Sequence, residues 1–186
     1  MIYSVSALED INDDSELWGG KAVSISKLKK NDFKVPRGLV VSTEAYELFV
    51  NNKINLKLFE EELIKLCESY FAENKSDLIF RSSANIEGNK HTACCGVFES
   101  FIYDPQISLV QNVQKVWNSA KTIYAKQYLE KTNCKTNKIK MAVIVQEVIK
   151  ERFNAVIQTY DIVNRKERII LEYSSGDLDS VVNGFK

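Results

Sequence analysis

A single histidine, His91, and four cysteines, Cys67, Cys94, Cys95 and Cys134, are all that 186 residues offer for soft-metal chemistry. A zinc centre asks for four ligands at recognisable spacings, so His91, Cys94 and Cys95 read as loop residues rather than a metal site. The cysteines also lack disulfide-framework spacing, which favours a reducing, cytoplasmic setting. Surplus charge is missing too, with 25 Lys+Arg against 25 Asp+Glu. Neither nucleic acid nor a membrane surface is therefore indicated as a partner, and any basic site must be local. No apolar run reaches transmembrane length, and the acidic first ten residues do not read as a signal peptide. Internal repeats and low-complexity tracts are lacking as well.

What remains is the composition of an ordinary globular protein, 45% apolar and 27% charged. The length suits one core or two small lobes. Apolar spacing at Ala22, Ile25 and Leu28 predicts a short helix over 21–30, and Val35-Pro36-Arg37-Gly38 is turn chemistry before a strand at Leu39-Val40-Val41. Ser42 or Thr43 can cap a helix running to Val50, and a second helix is expected from Leu56 to Phe71. Leu78-Ile79-Phe80 reads as a buried strand with Arg81 at its carboxyl end. A strand from Ser100 to Tyr103 and one long helix over 107–129 follow. Three strands, over 141–148, 155–160 and 168–173, close the chain. The fold class is α+β. The expected division is a first lobe over 1–133 and the start of a second, strand-rich lobe over 134–186.

Arg81-Ser82-Ser83-Ala84, Glu87 and the run from Gly96 to Phe101 form the most informative segment. A forked guanidinium, small hydroxyls and a glycine that permits close backbone approach are suitable parts for holding phosphate. Arg81 could equally be a structural arginine paired with Glu87 or Glu99, Gly96 a hairpin turn, and Ser100 a solvent-facing serine. Upstream, Gly19-Gly20-Lys21 opens a helix, where outward-facing N–H groups and a lysine would attract an anion; a solvated lysine after a turn is the plainer reading. Downstream, Gln146 ends an apolar strand where its amide could read adenine, unless it is an ordinary edge-strand residue.

These features occur together, in this order, in one family. The chain resembles the N-terminal ATP-binding region of phosphoenolpyruvate synthase, pyruvate phosphate dikinase and rifampin phosphotransferase. The likeness rests on Gly19-Gly20-Lys21, Val35-Pro36-Arg37-Gly38, Arg81-Ser82-Ser83-Ala84 with Glu87, Gly96 to Phe101, and Val145-Gln146. It implies an ATP-grasp-like site in which Lys21 and Arg81 hold the ATP phosphates as catalytic residues. Gly96 and Ser100 would line the same loop, with Gln146 near the base. It also implies Mg²⁺ as a cofactor, and partner domains downstream: a swivelling phosphohistidine domain and an acceptor domain.

Departures from the family pattern bear on activity. Glu87-Gly88 stands where Glu-Asp is usual, Asn154 to Thr159 lacks a glycine, and Gly176-Asp177-Leu178-Asp179 replaces Gly-Leu-Gly-Glu. The later motifs expected to supply a metal-binding acid and a second phosphate arginine are missing, and so is a phosphohistidine motif. The chain is accordingly expected to be the truncated front part of a longer enzyme, inactive alone. The alternative is a non-catalytic nucleotide-binding or regulatory module descended from that fold.

Overall fold

A computed structural model describes residues 4–71, 77–87, 96–131, 139–150, 153–161 and 164–175. Gly88, His91, Cys94, Cys95, the 134–138 segment and the run from Gly176 to Lys186 lie outside them. The elements are β1 (Val5–Ala7), α1 (Ser15–Trp18), α2 (Gly20–Lys30), β2 (Gly38–Val41), α3 (Thr43–Val50) and α4 (Leu56–Phe71). Then come β3 (Leu78–Ala84), β4 (Ser100–Ile102), α5 (Leu109–Ser119), α6 (Ile123–Lys131), β5 (Met141–Glu147), β6 (Asn154–Gln158) and β7 (Ile170–Ser174). Helices with wholly antiparallel sheets make the fold α+β. No helix among the described residues is long and apolar enough to cross a membrane.

The chain divides into two compact units, Met1–Val148 and Ile149–Lys186. In the first, a five-stranded sheet has the order β1-β2-β5-β3-β4. β5 is its centre, paired to β2 from Gly38↔Gln146 to Val41↔Val143 and to β3 from Leu78↔Glu147 to Ala84↔Met141. Six of its seven residues are buried, as a strand covered on both faces requires. These pairings place Met141–Glu147 inside the first unit, whereas the sequence had suggested a boundary after residue 133.

One sheet face carries the main core. Leu39, Val41, Phe80, Val143 and Val145 pack there against Phe59 and Leu63 of α4 and Val113 and Trp117 of α5. Trp117 is wholly buried between the rings of Phe49 and Phe59, centroids 4.9 and 6.0 Å away, and its indole N–H donates to the Met141 carbonyl at 3.0 Å. The polar edge of a buried indole is thereby satisfied while its area is spent on the core. On the opposite face, Val40, Ala142 and Ile144 form a smaller cluster with Leu8, Ile11, Trp18, Ala22 and Val23, so α1 and α2 cover part of that face.

Three expectations are corrected here. The helix expected over 107–129 is two helices, because Ser119 and Thr122 cap locally: the Thr122 hydroxyl donates to the Ser119 carbonyl and accepts from Ala125 N–H. The buried side of α2 is Gly20, Ala22, Val23 and Ser26, while Leu28 is exposed, since close packing on a strand selects small residues. Ser42 does sit at the N-cap of α3, yet its buried hydroxyl has no partner among the described residues, and Thr43 donates to the Glu16 carbonyl instead.

The second unit contains a hairpin in which Ala155 faces Tyr173 and Ile157 faces Leu171. Ile157, Leu171 and Tyr173 are all exposed.

Candidate functional site

The site grows from β3. Arg81 lies mid-strand rather than at the carboxyl end, because Ser82, Ser83 and Ala84 continue the ladder with Val143, Ala142 and Met141. Ser82 and Ser83 are fully buried and so are not hydroxyls presented to a loop. Ser83 Oγ accepts from Ala22 N–H at 2.9 Å and donates to the Trp18 carbonyl at 3.1 Å, fastening both short helices to the strand.

The glycine pair serves the same seam. Gly19 joins α1 to α2 at φ +75°, and a Cβ there would fall 2.0 Å from the Ser83 carbonyl oxygen. A Cβ on Gly20 would fall 1.7 Å from the Glu87 carbonyl oxygen. Both glycines are buried, and the Ala22 N–H is taken by Ser83. The start of α2 is therefore a packed seam against β3, not the outward-facing set of N–H groups the sequence suggested.

Lys21 emerges from this seam. Its Nζ donates to the Ser82 carbonyl at 2.7 Å and lies 3.5 Å from Glu87 Oε1, with the lysine side chain 31% exposed and that of Glu87 10%. Glu87 Oε2 also accepts from Ala84 N–H at 3.3 Å, closing the turn after β3. Burial pushes the Glu87 carboxyl above its ordinary pKa, against the opposing pull of Lys21, the Ala84 amide and Arg81. Burial likewise draws the Arg81 guanidinium down, while the charge of Glu87 works the other way.

Arg81 is half-buried, and its Nη1 donates to Gln146 Oε1 at 2.8 Å. Among the described residues no carboxylate comes within ion-pair distance of it. Its register partner on β4 is the exposed Ser100, and paired residues of an antiparallel ladder project from the same face. Gly96, in the turn before β4, is exposed at φ +74°, and a Cβ there would meet nothing within 4 Å. Among the described residues, nothing therefore obstructs backbone approach at Gly96. Gln146 is 2% exposed and donates from Nε2 to the Pro36 carbonyl at 3.2 Å.

The structure therefore brings Arg81, Gln146 and Ser100 together, and sets Lys21 one residue further along β3. Sequence reading had singled out neither Ser82 as the acceptor for Lys21 nor Glu87 as its ion-pair partner. The spacing of Glu87 from Ala84 was the available signal, since a glutamate three residues beyond a strand end can reach back to its amide. For magnesium, the described residues offer no group of three or more His, Cys, Asp or Glu side chains able to hold a metal.

Lys21 and Arg81 thus meet β3 at adjacent residues, inside an antiparallel sheet of an α+β domain. The pyruvate phosphate dikinase AMP/ATP-binding domain family matches residues 57–185, and the chain belongs to that family. Similar proteins include the phosphoenolpyruvate synthase of Aeropyrum pernix, 26% identical over 95% of this chain and 27% of its own length. The uncharacterized phosphotransferase YvkC of Bacillus subtilis is 24% identical over 98% of this chain and 24% of itself. The probable phosphoenolpyruvate synthase of Methanothermobacter thermautotrophicus is 25% identical over 99% of this chain and 33% of itself. The chain thus spans about a quarter to a third of the length of these curated relatives. Arg81, Gly96, Ser100 and Gln146 fall inside the family match; Lys21 falls before it but within relatives aligned over nearly the whole chain.

Proposed function

We propose that the chain binds ATP by its phosphates, with Lys21 and Arg81 as the cationic contacts and Gly96 and Ser100 lining the same turn. The site is the front part of an ATP-grasp-like centre in a phosphotransferase of the phosphoenolpyruvate-synthase type. There a phosphoryl group leaves its phosphoanhydride oxygen for an imidazole nitrogen on a separate swivelling domain, and passes on to a small-molecule acceptor. The carrying observation is Arg81: a half-buried guanidinium whose direct partner is a neutral amide, beside an exposed serine. Such a charge is partly desolvated and meets Glu87 only from beyond ion-pair distance, so a phosphate gains from a bidentate contact with it. Catalysis of this class is mostly positioning and charge stabilisation, which suits a site built of cations and backbone.

Magnesium, in this reading, arrives with the nucleotide and offsets its phosphate charge. A cytoplasmic setting is part of the same reading, supported by the lack of disulfide-framework spacing among the cysteines. The second reading, a nucleotide-binding module without catalysis, is favoured by Asp179 and the missing glycines of the departing motifs.

Titration of a non-hydrolysable ATP analogue with Mg²⁺ tests the site. Removing one charge-assisted phosphate contact, by Lys21→Ala or Arg81→Ala, is expected to weaken binding by roughly 1.5–3 kcal/mol, or about 10- to 150-fold. Equal affinity in wild type and both variants refutes the assignment.

A further inference from the structure

We infer that Gln146 is the positioning residue of Arg81, acting at the phosphate end of the site rather than as the reader of adenine. The inference rests on the phosphate-binding reading above and deepens it. A glutamine reads adenine by turning one donor and one acceptor of its amide toward the base. Here both ends of the amide are committed within the protein. Oε1 takes the Arg81 guanidinium at 2.8 Å and Nε2 gives to the Pro36 carbonyl at 3.2 Å, on a side chain 2% exposed.

The orientation of the amide follows from chemistry. Flipped, it would set Nε2 against a guanidinium that only donates and Oε1 against a carbonyl that only accepts, and both contacts would be repulsive. Pro36 therefore fixes which end of the amide faces Arg81. The Val35-Pro36-Arg37 segment leads directly into β2, whose first residue Gly38 is the register partner of Gln146, so the segment and the amide are held at one point of the ladder. On the other side Gln146 is paired with Ile79, two residues before Arg81 on the same face of β3. That diagonal spacing lets a long side chain on β5 reach a guanidinium on β3. The result is a relay from the Pro36 carbonyl through the Gln146 amide to Arg81. It holds the guanidinium in one rotamer with a neutral acceptor and leaves its charge for a ligand. This also gives the Val-Pro-x-Gly motif a role: it aims a phosphate arginine that it never touches.

The test uses the 186-residue chain with Gln146→Met, which keeps the volume and removes both hydrogen bonds, and Gln146→Glu. Affinities are measured for ATP, inorganic tripolyphosphate and adenosine, each also in an Arg81→Ala background. Gln146→Met is expected to weaken ATP and tripolyphosphate alike, by roughly five- to tenfold, the size of a lost neutral hydrogen bond. Adenosine binding should stay unchanged, and the effect should vanish once Arg81 is alanine. Gln146→Glu should weaken tripolyphosphate further, because a carboxylate would neutralise the guanidinium. Weakened adenosine binding, or an effect that persists without Arg81, overturns the proposal. The phenylglyoxal adduct rate at Arg81, followed by mass spectrometry, provides a readout without ligand: it should rise in Gln146→Met, and an unchanged rate also overturns the proposal. Should wild type bind neither ATP nor tripolyphosphate, the phosphate-binding reading fails, and the adduct rate still decides whether Gln146 holds Arg81.

Discussion

Two lysine–glutamate pairs bracket α2, and they behave in opposite ways. Near its end, Lys29 meets Glu9 at 2.8 Å, and the Tyr70 hydroxyl lies 2.8 and 2.9 Å from the two oxygens of the same carboxylate. Burial pulls the Glu9 pKa upward, but the contacts from Lys29, its own backbone and Tyr70 together outweigh burial and hold it below the ordinary value. Tyr70, in turn, is pushed up to about 12 by burial and by the neighbouring carboxylate. Near the start of the helix, Lys21 is 3.5 Å from Glu87, and there burial wins. The first pair is a closed strap with each group matched. The second pair is longer, and its lysine also donates to a neutral backbone carbonyl at 2.7 Å. A cation held that way can turn to a better anion at modest cost, which is what a binding lysine requires.

The strongest way to break this comparison is through the seam that positions the longer pair. Gly20→Ala forces a Cβ onto the Glu87 carbonyl, backbone against backbone. Overpacking usually costs about 1–3 kcal/mol, and this contact should exceed about 3 kcal/mol in chemical denaturation because neither partner is a flexible side chain. A variant of wild-type stability would mean that α2 does not sit on that turn. Next comes the contrast between the lysines. Lys21→Ala should reduce affinity for an ATP analogue by roughly 10- to 150-fold, while Lys29→Ala should leave it within about twofold. Equal losses would make both lysines structural.

The smallest and sharpest contrast is in pH dependence. Glu9 has a lowered folded pKa, so its stabilisation is complete above the unfolded value near 4.3 and is lost as pH falls through the folded one. Glu87 has a raised folded pKa, so its contribution is complete below that same unfolded value and is lost as pH rises through the folded one. Glu9→Gln should therefore flatten the acid limb of a stability–pH curve, by about 0.5 kcal/mol given its exposure. Glu87→Gln should flatten the curve on the other side. Two curves altered on the same limb would show that the pairs do not differ.

Legibility in the sequence followed how local the cause was. α4 appears at Leu56–Phe71 as its spacing foretold, and β2 and β5 appear where apolar runs are bounded by turn signals. The break after Ser119 was hidden because Ala120, Tyr124 and Tyr128 keep the helical spacing going while Thr122 caps a new helix. Arg81 seemed to end a strand because Ser82 and Ser83 carry no apolar signal. Their burial depends on helices some sixty residues upstream, which no local pattern reports. The cations of the candidate site stand out in the sequence by type and order. Their partners do not, because Lys21 with Glu87 and Arg81 with Gln146 are set by strand register and a helix seam.

The central place of β5 also governs the order of assembly. β2 and β3 share no ladder, so the growing polypeptide can form only the separate pairs β1–β2 and β3–β4 until Met141–Glu147 has been made. Closing the sheet then requires joining segments far apart along the chain, which is the slow class of folding step. During synthesis the apolar faces of β2 and β3 wait for a strand that comes later than both, and in that interval the chain is most exposed to association with itself.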